Sequence, residues 1–415
     1  MKLPAFLESF RTLPKVFWLL CLATTLFYSA SHVFTTMLPI HLNGIHVSPA
    51  ESGKLLALFL VASVLSRPWV GKLYEEWPPR RLFLMSMAFF GTGTILMLLM
   101  PNTLWVLWVA RALQGVGFSF FNSVSYSYLT ETVPVQSRAR GIAMFSNAIK
   151  LAMAYAPAIG WVMADRGWCI EAMLFSLAVL LASLFVILRM GHLETHHSQL
   201  NRVENTVQAS VSPRPKGRLF NIKGVTPGLL IASNSFVFGA LIPFIPLIVS
   251  SKGIHHVESF HIFYAFSLIA SRFLGGESSD KFGRLYTIIP GMALVVVSLI
   301  GMFYSFGTVP LLISAVLYGL GSGVVQPSIV AMVADRTKVS ERGSAMATYT
   351  MLADSGQGLG MMAMGYLGQH FSYDTGLGST IVIAIAGLIF AVGLSLEKKR
   401  KGSSVKAQPN HSKVA

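Results

Sequence analysis

Charge is scarce in this chain, and acid is scarcer than base: Asp, Glu, Lys and Arg together make up 12% of 415 residues, with 17 acidic side chains against 32 Lys and Arg. A soluble chain of this length needs more charge than that to cover its surface, so a water-facing multi-domain protein is excluded. Cysteine is nearly missing too. Cys21 and Cys169, the 2 present, lie in or beside different apolar stretches, so neither a disulfide framework nor a thiolate metal cluster is expected. HExxH and GxSxG are absent, and with them the usual signatures of a membrane-embedded hydrolase. The expectation is a protein that is not an enzyme, with no cofactor and no metal site.

What is abundant is apolar sequence: 53% of residues are hydrophobic and the mean hydropathy is +0.61. Stretches long enough to cross a hydrocarbon core, which takes ~20 helical residues, recur twelve times between residues 16 and 396, the second and eighth at 55–71 and 259–275. They predict an all-α membrane protein with twelve transmembrane helices. The first stretch follows Lys2, Arg11 and Lys15 like a secretory leader, but it is too long for one and eleven more follow. With the amino terminus cytoplasmic, only Lys54, Arg166 and Lys252 fall in external loops and only Arg111 and Lys150 inside spans; every other Lys and Arg is at the cytoplasmic side. That asymmetry places both termini in the cytoplasm and the chain in the inner (plasma) membrane as a multi-pass protein. The net charge of +15 then faces anionic lipid. Spread over many short segments, these basic residues form no single face for nucleic acid.

The longest polar stretch separates spans six and seven. It divides the chain into an amino-terminal six-helix bundle (1–190), a cytoplasmic linker (191–223), a carboxy-terminal six-helix bundle (224–396) and a basic cytoplasmic tail (397–415). His192, His196 and His197 lie in the linker without a Cys or paired carboxylate beside them, and a solvated histidine run needs no metal to explain it.

The halves repeat each other. SRPWVGKLYEE at 66–76 returns as SRFLGGESSDK at 271–281, so Ser66, Arg67, Gly71 and Glu75 match Ser271, Arg272, Gly276 and Asp280, read as the loop after each half's second span. After each fourth span an acid is followed by six residues and an arginine, Glu131 with Arg138 and Asp335 with Arg342, while Gly115 and Gly117 match Gly319 and Gly321. Two parallel six-helix repeats describe one large class of secondary transporters.

These residues carry a family resemblance. Gly71-Lys72-Leu73-Tyr74-Glu75 followed by Arg80-Arg81, and Gly276, Asp280, Gly283 and Arg284 in the second copy, resemble the loop motif of the major facilitator superfamily. Arg111-Ala-Leu-Gln114-Gly115 resembles its fourth-helix motif. The match departs at Glu75, where Asp is usual, and at Pro78, where Gly is. The resemblance implies two pseudo-symmetric six-helix bundles working by alternating access as a monomer, and a small-molecule substrate moved with protons. It also implies a cytoplasmic latch. There Glu75 and Asp280 pair with basic residues near Arg138 and Arg342, and Gly71 and Gly276 let helix ends approach. The alternative is that these charges only set topology.

Substrate chemistry must come from polar groups inside spans, where an ionised side chain costs ~3 kcal/mol or more. Asp354 is the one carboxylate near mid-membrane, and Lys150 occupies the equivalent position in the first half. Asp354 is therefore read as a proton-coupling carboxylate or as the partner of a buried cation, with His32 as a second proton group or a packed histidine. Family architecture implies that spans one, four, seven and ten line one chamber, bringing Tyr28, Asn122, Asn234 and Gln326 to it together with Arg111 and Lys150. Most of the aromatic stripe Phe118, Phe120, Phe121, Tyr126 and Tyr128 is expected to be helix packing. In the fifth span Ala143, Ala152, Ala156, Pro157, Gly160 and Trp161 stand at the positions of an exporter motif and keep its small size except at Trp161. This favours proton-coupled export of an anionic or zwitterionic compound, drug-like or metal-chelating; a proton-coupled importer or facilitator is the rival.

Overall fold

The computed structural model describes residues 13–133, 138–190, 221–254, 257–337 and 341–406, and among them it is helical throughout. The first half holds α1 (Lys15–Gly44), α2 (Pro49–Glu76), α3 (Pro79–Leu99), α4 (Leu104–Thr132), α5 (Arg138–Asp165) and α6 (Cys169–Met190). The second holds α7 (Ile222–Leu241), α8 (Ile245–Ser251), α9 (Val257–Phe282), α10 (Arg284–Phe303), α11 (Thr308–Arg336), α12 (Arg342–His370) and α13 (Tyr373–Lys406). The twelve-span architecture holds because α7 and α8 are one span broken at Ile242–Phe244. Pro243 and Pro246 there remove two backbone donors and stop the helix.

The repeated segments 66–76 and 271–281 are not loops, as expected from the sequence, but the ends of α2 and α9. At ~1.5 Å per residue the 28 residues of α2 outrun a ~30 Å hydrocarbon core. The charged sequence that reads as a span end therefore continues the helix. Likewise α7 starts at Ile222, ahead of 224, and α13 carries on through Lys406 into the expected tail. Residues 191–220 and 407–415, with the linker histidines, lie outside the described residues.

The two halves use the same internal contacts. In the first, α1 packs on α5 and α6, α4 on α2 and α3, and α3 on α6; in the second, α7 packs on α12 and α13, α11 on α9 and α10, and α10 on α13. Across the halves the seams are α2 with α12 and α5 with α9, which a two-fold relation between the repeats exchanges. The matched glycines explain the tightness inside each half. A Cβ on Gly115 would lie 2.2 Å from Phe59 O, and one on Gly319 would lie 2.6 Å from Tyr264 O, so α4 meets α2 and α11 meets α9 backbone to backbone.

Among the described residues, nine helices are long and apolar enough to cross a membrane. Buried aromatics fill the first half, with Phe27 and Phe121 stacked at 3.9 Å and Phe83 edge-on to both Phe121 and Tyr128. That is the packing role expected for most of the stripe.

Candidate transport site

The middle of α1 supplies the first polar groups. Tyr28 donates its hydroxyl proton to Asn122 Oδ1 of α4 at 3.1 Å, its backbone oxygen lies 2.9 Å from His32 Nδ1, and the two rings stack at 5.7 Å. One residue on, Ser29 Oγ is 2.5 Å from the Tyr155 hydroxyl of α5. The fifth-span small residues make this closeness possible. Ala152 and Ala156 are fully buried, Thr36 Oγ1 donates to Pro157 O at 2.5 Å, and a Cβ on Gly160 would lie 2.2 Å from Val33 O.

The central feature is an ion pair that joins the two halves. Arg67 Nη2 of α2 donates to Asp354 Oδ2 of α12, and each side chain keeps about a fifth of its surface accessible, 22% and 21%. The sequence puts Arg67 in a loop and leaves Lys150 as the possible partner of Asp354. Arg67 is instead part of the α2 helix, and it is Arg67 that meets the carboxylate. Lys150 Nζ lies 3.6 Å from Met153 Sδ, and both Lys150 and Arg111 are within electrostatic reach of His32.

Arg111 is buried in the first half. Its Nη1 donates to Gln114 Oε1 at 2.9 Å, its guanidinium carbon sits 4.6 Å from the Phe59 ring centroid, and Gln114 Nε2 donates in turn to Thr94 Oγ1 at 3.1 Å. Its Nε is buried without a hydrogen-bond partner. Such a cation is costly in hydrocarbon, and the ring face and amide offset part of that cost.

Three tyrosines gather near the ion pair. Tyr28 of α1 is in electrostatic reach of Asp354, Arg67 and Tyr126, and Tyr349 of α12 of Asp354 and Tyr126. Gln326 of α11 stands beside Tyr349. Tyr126 is 37% exposed although its ring lies edge-on to Phe145 at 5.1 Å, whereas Phe120, Phe121 and Tyr128 of the stripe are buried. Sequence reasoning assigns no role to Tyr155 or Tyr349; the usable signal is a polar side chain in a span of low hydropathy. Asn234 is placed elsewhere. It lies beside Ser233, Val237, Met292, Val295 and Ala384 of α7, α10 and α13, inside the second bundle. The physical reason is its repeat partner Ala30, whose backbone oxygen accepts from Ser176 of α6: that face of the first helix in each half turns toward the last helix of the same half.

Of the gating residues, Arg284 and Asp335 meet, Nε to Oδ2 at 2.9 Å, tying α10 to α11 within one half. Arg80 and Glu131 stand at the repeat-related positions. Among the described residues, nothing lies within 4 Å of a Cβ added to Gly71. Gly276 and the side chains of Glu75, Arg138, Arg272, Asp280 and Arg342 lie outside the described residues.

Two repeated bundles with a charged pair at the seam between them define a secondary transporter. The chain belongs to the Major Facilitator Superfamily, whose family profile matches residues 20–305 and 228–415. It is a multi-pass membrane protein and not an enzyme. The staphylopine export protein of Staphylococcus aureus is 22% identical over 358 residues, covering 83% of this chain and 87% of that protein. The class G tetracycline resistance protein of Vibrio anguillarum is 25% identical over 325 residues, covering 74% and 79%. In structure, a bacterial homologue of the human lysosomal transporter Spinster superposes with a TM-score of 0.72 over 91% of this chain and 95% of that one, at 16% identity.

Proposed function

We propose that the protein exports a small zwitterionic organic compound, metal-chelating amino carboxylates included, in exchange for protons. The basic face is taken as cytoplasmic, with both termini there, and the protein as a monomer in the plasma membrane. The observation that carries this reading is the Arg67–Asp354 pair, which bridges the halves. Two relatives that cover most of the chain, one an export protein and one a resistance protein, support outward transport.

The pair sets the sign of coupling. A zwitterion can split it, placing its carboxylate on Arg67 and its ammonium or other donor on Asp354. It then competes with the proton for Asp354, and competition for one site is what exchange in opposite directions requires. A simple anion that takes Arg67 alone has the reverse effect: it leaves Asp354 unpaired, favours its protonation and travels with the proton. That second outcome is the import reading. A 31% identity with the hexuronate transporter of Bacillus subtilis, over 155 residues, keeps it in view. Lys150 and Arg111 give the chamber a positive bias, so lipophilic cations should be poor ligands. Tyr28, Asn122, Tyr126 and Gln326 supply neutral hydrogen-bonding groups around the charged pair.

The test is direct. Purified protein in weak buffer with a pH indicator, at a pH acidic enough to protonate part of Asp354, should release protons on adding a zwitterionic ligand and take them up on adding a simple anionic one. Asp354→Asn should abolish both signals. Proton uptake with every ligand would replace export by symport, and unchanged signals in Asp354→Asn would remove Asp354 from the mechanism.

A further inference from the structure

We infer that Gly53, Gly365 and Gln369 form the gate that shuts the face opposite the basic one, and that Gln369 acts there as a helix cap delivered from the other half of the molecule. The inference stands apart from the direction and coupling of transport.

The sequence dictates a demanding start to α2. Ser48 is its N-cap, with Oγ accepting from Glu51 N at 3.2 Å, and Pro49 has no N–H to satisfy. The next donor, Ala50 N–H, belongs to the first turn and has no partner within its own helix. It donates to Gln369 Oε1 at 3.2 Å, a side chain from the last turn of α12. One turn deeper the two helices touch through glycine. A Cβ on Gly53 would lie 2.5 Å from Met361 O and 3.2 Å from Gly365 Cα, and a Cβ on Gly365 would lie 2.3 Å from Pro49 O and 3.0 Å from Gly53 Cα. Those obstacles are backbone, which cannot swing aside.

The same seam loosens with depth. A Cβ on Gly358 would make only ordinary contact, 3.9 Å to Leu60 Cδ1 and 4.0 Å to Ala57 Cβ, and one on Gly71, at the basic face, would meet nothing within 4 Å. The contact is therefore tightest at one end of the transport axis. Nor does the repeat duplicate the device: the positions matching Gly53 and Gly365 in the α5–α9 seam are Glu258 and Trp161. Cap and glycine contacts exist only while the ends of α2 and α12 meet, so weakening them shifts the population toward the state open at that face.

The experiment uses the full-length chain with Cys21→Ser and Cys169→Ser, spin-labelled through cysteines at Lys54 and Phe371, in lipid nanodiscs. The distance distribution is read by pulsed electron resonance. The parent should show mainly the short distance. Gly53→Ala and Gly365→Ala should transfer most of the population to a longer one. Gln369→Ala should raise the long fraction several-fold, and Gln369→Glu, which keeps an acceptor at a helix N-terminus, should return it to the parental value. Gly358→Ala should match the parent. An unmoved distribution in both Gly53→Ala and Gly365→Ala, or an equal shift in Gly358→Ala, overturns the inference. If a glycine variant does not fold, Gln369→Ala against Gln369→Glu decides by itself, and identical distributions in those two overturn it.

Discussion

Arg67 and Asp354 show how a single ion pair can carry both stability and coupling. Removing one partner of a buried pair strands the other charge and costs ~3–5 kcal/mol, whereas removing both often costs little. With about a fifth of each side chain accessible, the lower end of that range applies. Arg67→Gln should therefore lower the melting temperature more than Arg67→Gln combined with Asp354→Asn, and thermal unfolding in detergent checks it. Transport should behave differently. Asp354→Asn should reduce gradient-driven accumulation to the level reached without a gradient, while exchange without a gradient persists. Accumulation at the parental rate in a well-expressed variant would contradict the assignment. The two residues are legible one by one as charges near or within spans. Their pairing is not, because a charged segment reads as a span end although the helix continues for another two turns beyond Arg67.

Single helices are legible where composition decides and less so where packing does. Twelve spans and their order follow from apolar runs, yet the ends of α2 and α9 continue past those runs as helix. Glycine is where sequence alone falls shortest, since one letter serves opposite purposes. Gly115 and Gly71 illustrate it: a Cβ on Gly115 would meet Phe59 O at 2.2 Å, and one on Gly71 would meet nothing within 4 Å. Gly115→Ala should consequently destabilise the protein by about 1–3 kcal/mol, the usual result of overpacking. Gly71→Ala should be neutral or stabilise it by up to ~1 kcal/mol, as replacing a helical glycine does. Melting temperatures of the two variants side by side decide the matter. Equal losses would mean that Gly71 packs closely in the state populated in solution.

At the scale of the whole molecule, if the halves rock against each other as alternating access requires, a gate on one face and a latch on the other must oppose each other. The repeat puts Glu75 and Asp280 at equivalent positions, and the two-fold exchange of the α2–α12 and α5–α9 seams makes that equivalence physical. If they latch the basic face, Glu75→Gln and Asp280→Asn should each lengthen distances across that face and shorten the mean Lys54–Phe371 distance. Gly53→Ala should do the reverse. Combining Gly53→Ala with Asp280→Asn then asks which is stronger. A surface ion pair contributes ~0–1 kcal/mol, and a Cβ forced against backbone costs about 1–3 kcal/mol. The glycine variant should therefore win, leaving the double variant mostly open at the Lys54–Phe371 face but with a smaller long-distance fraction than Gly53→Ala alone. A double variant identical to Gly53→Ala would show that the charges of the repeated segment set topology only, and that no latch acts through them.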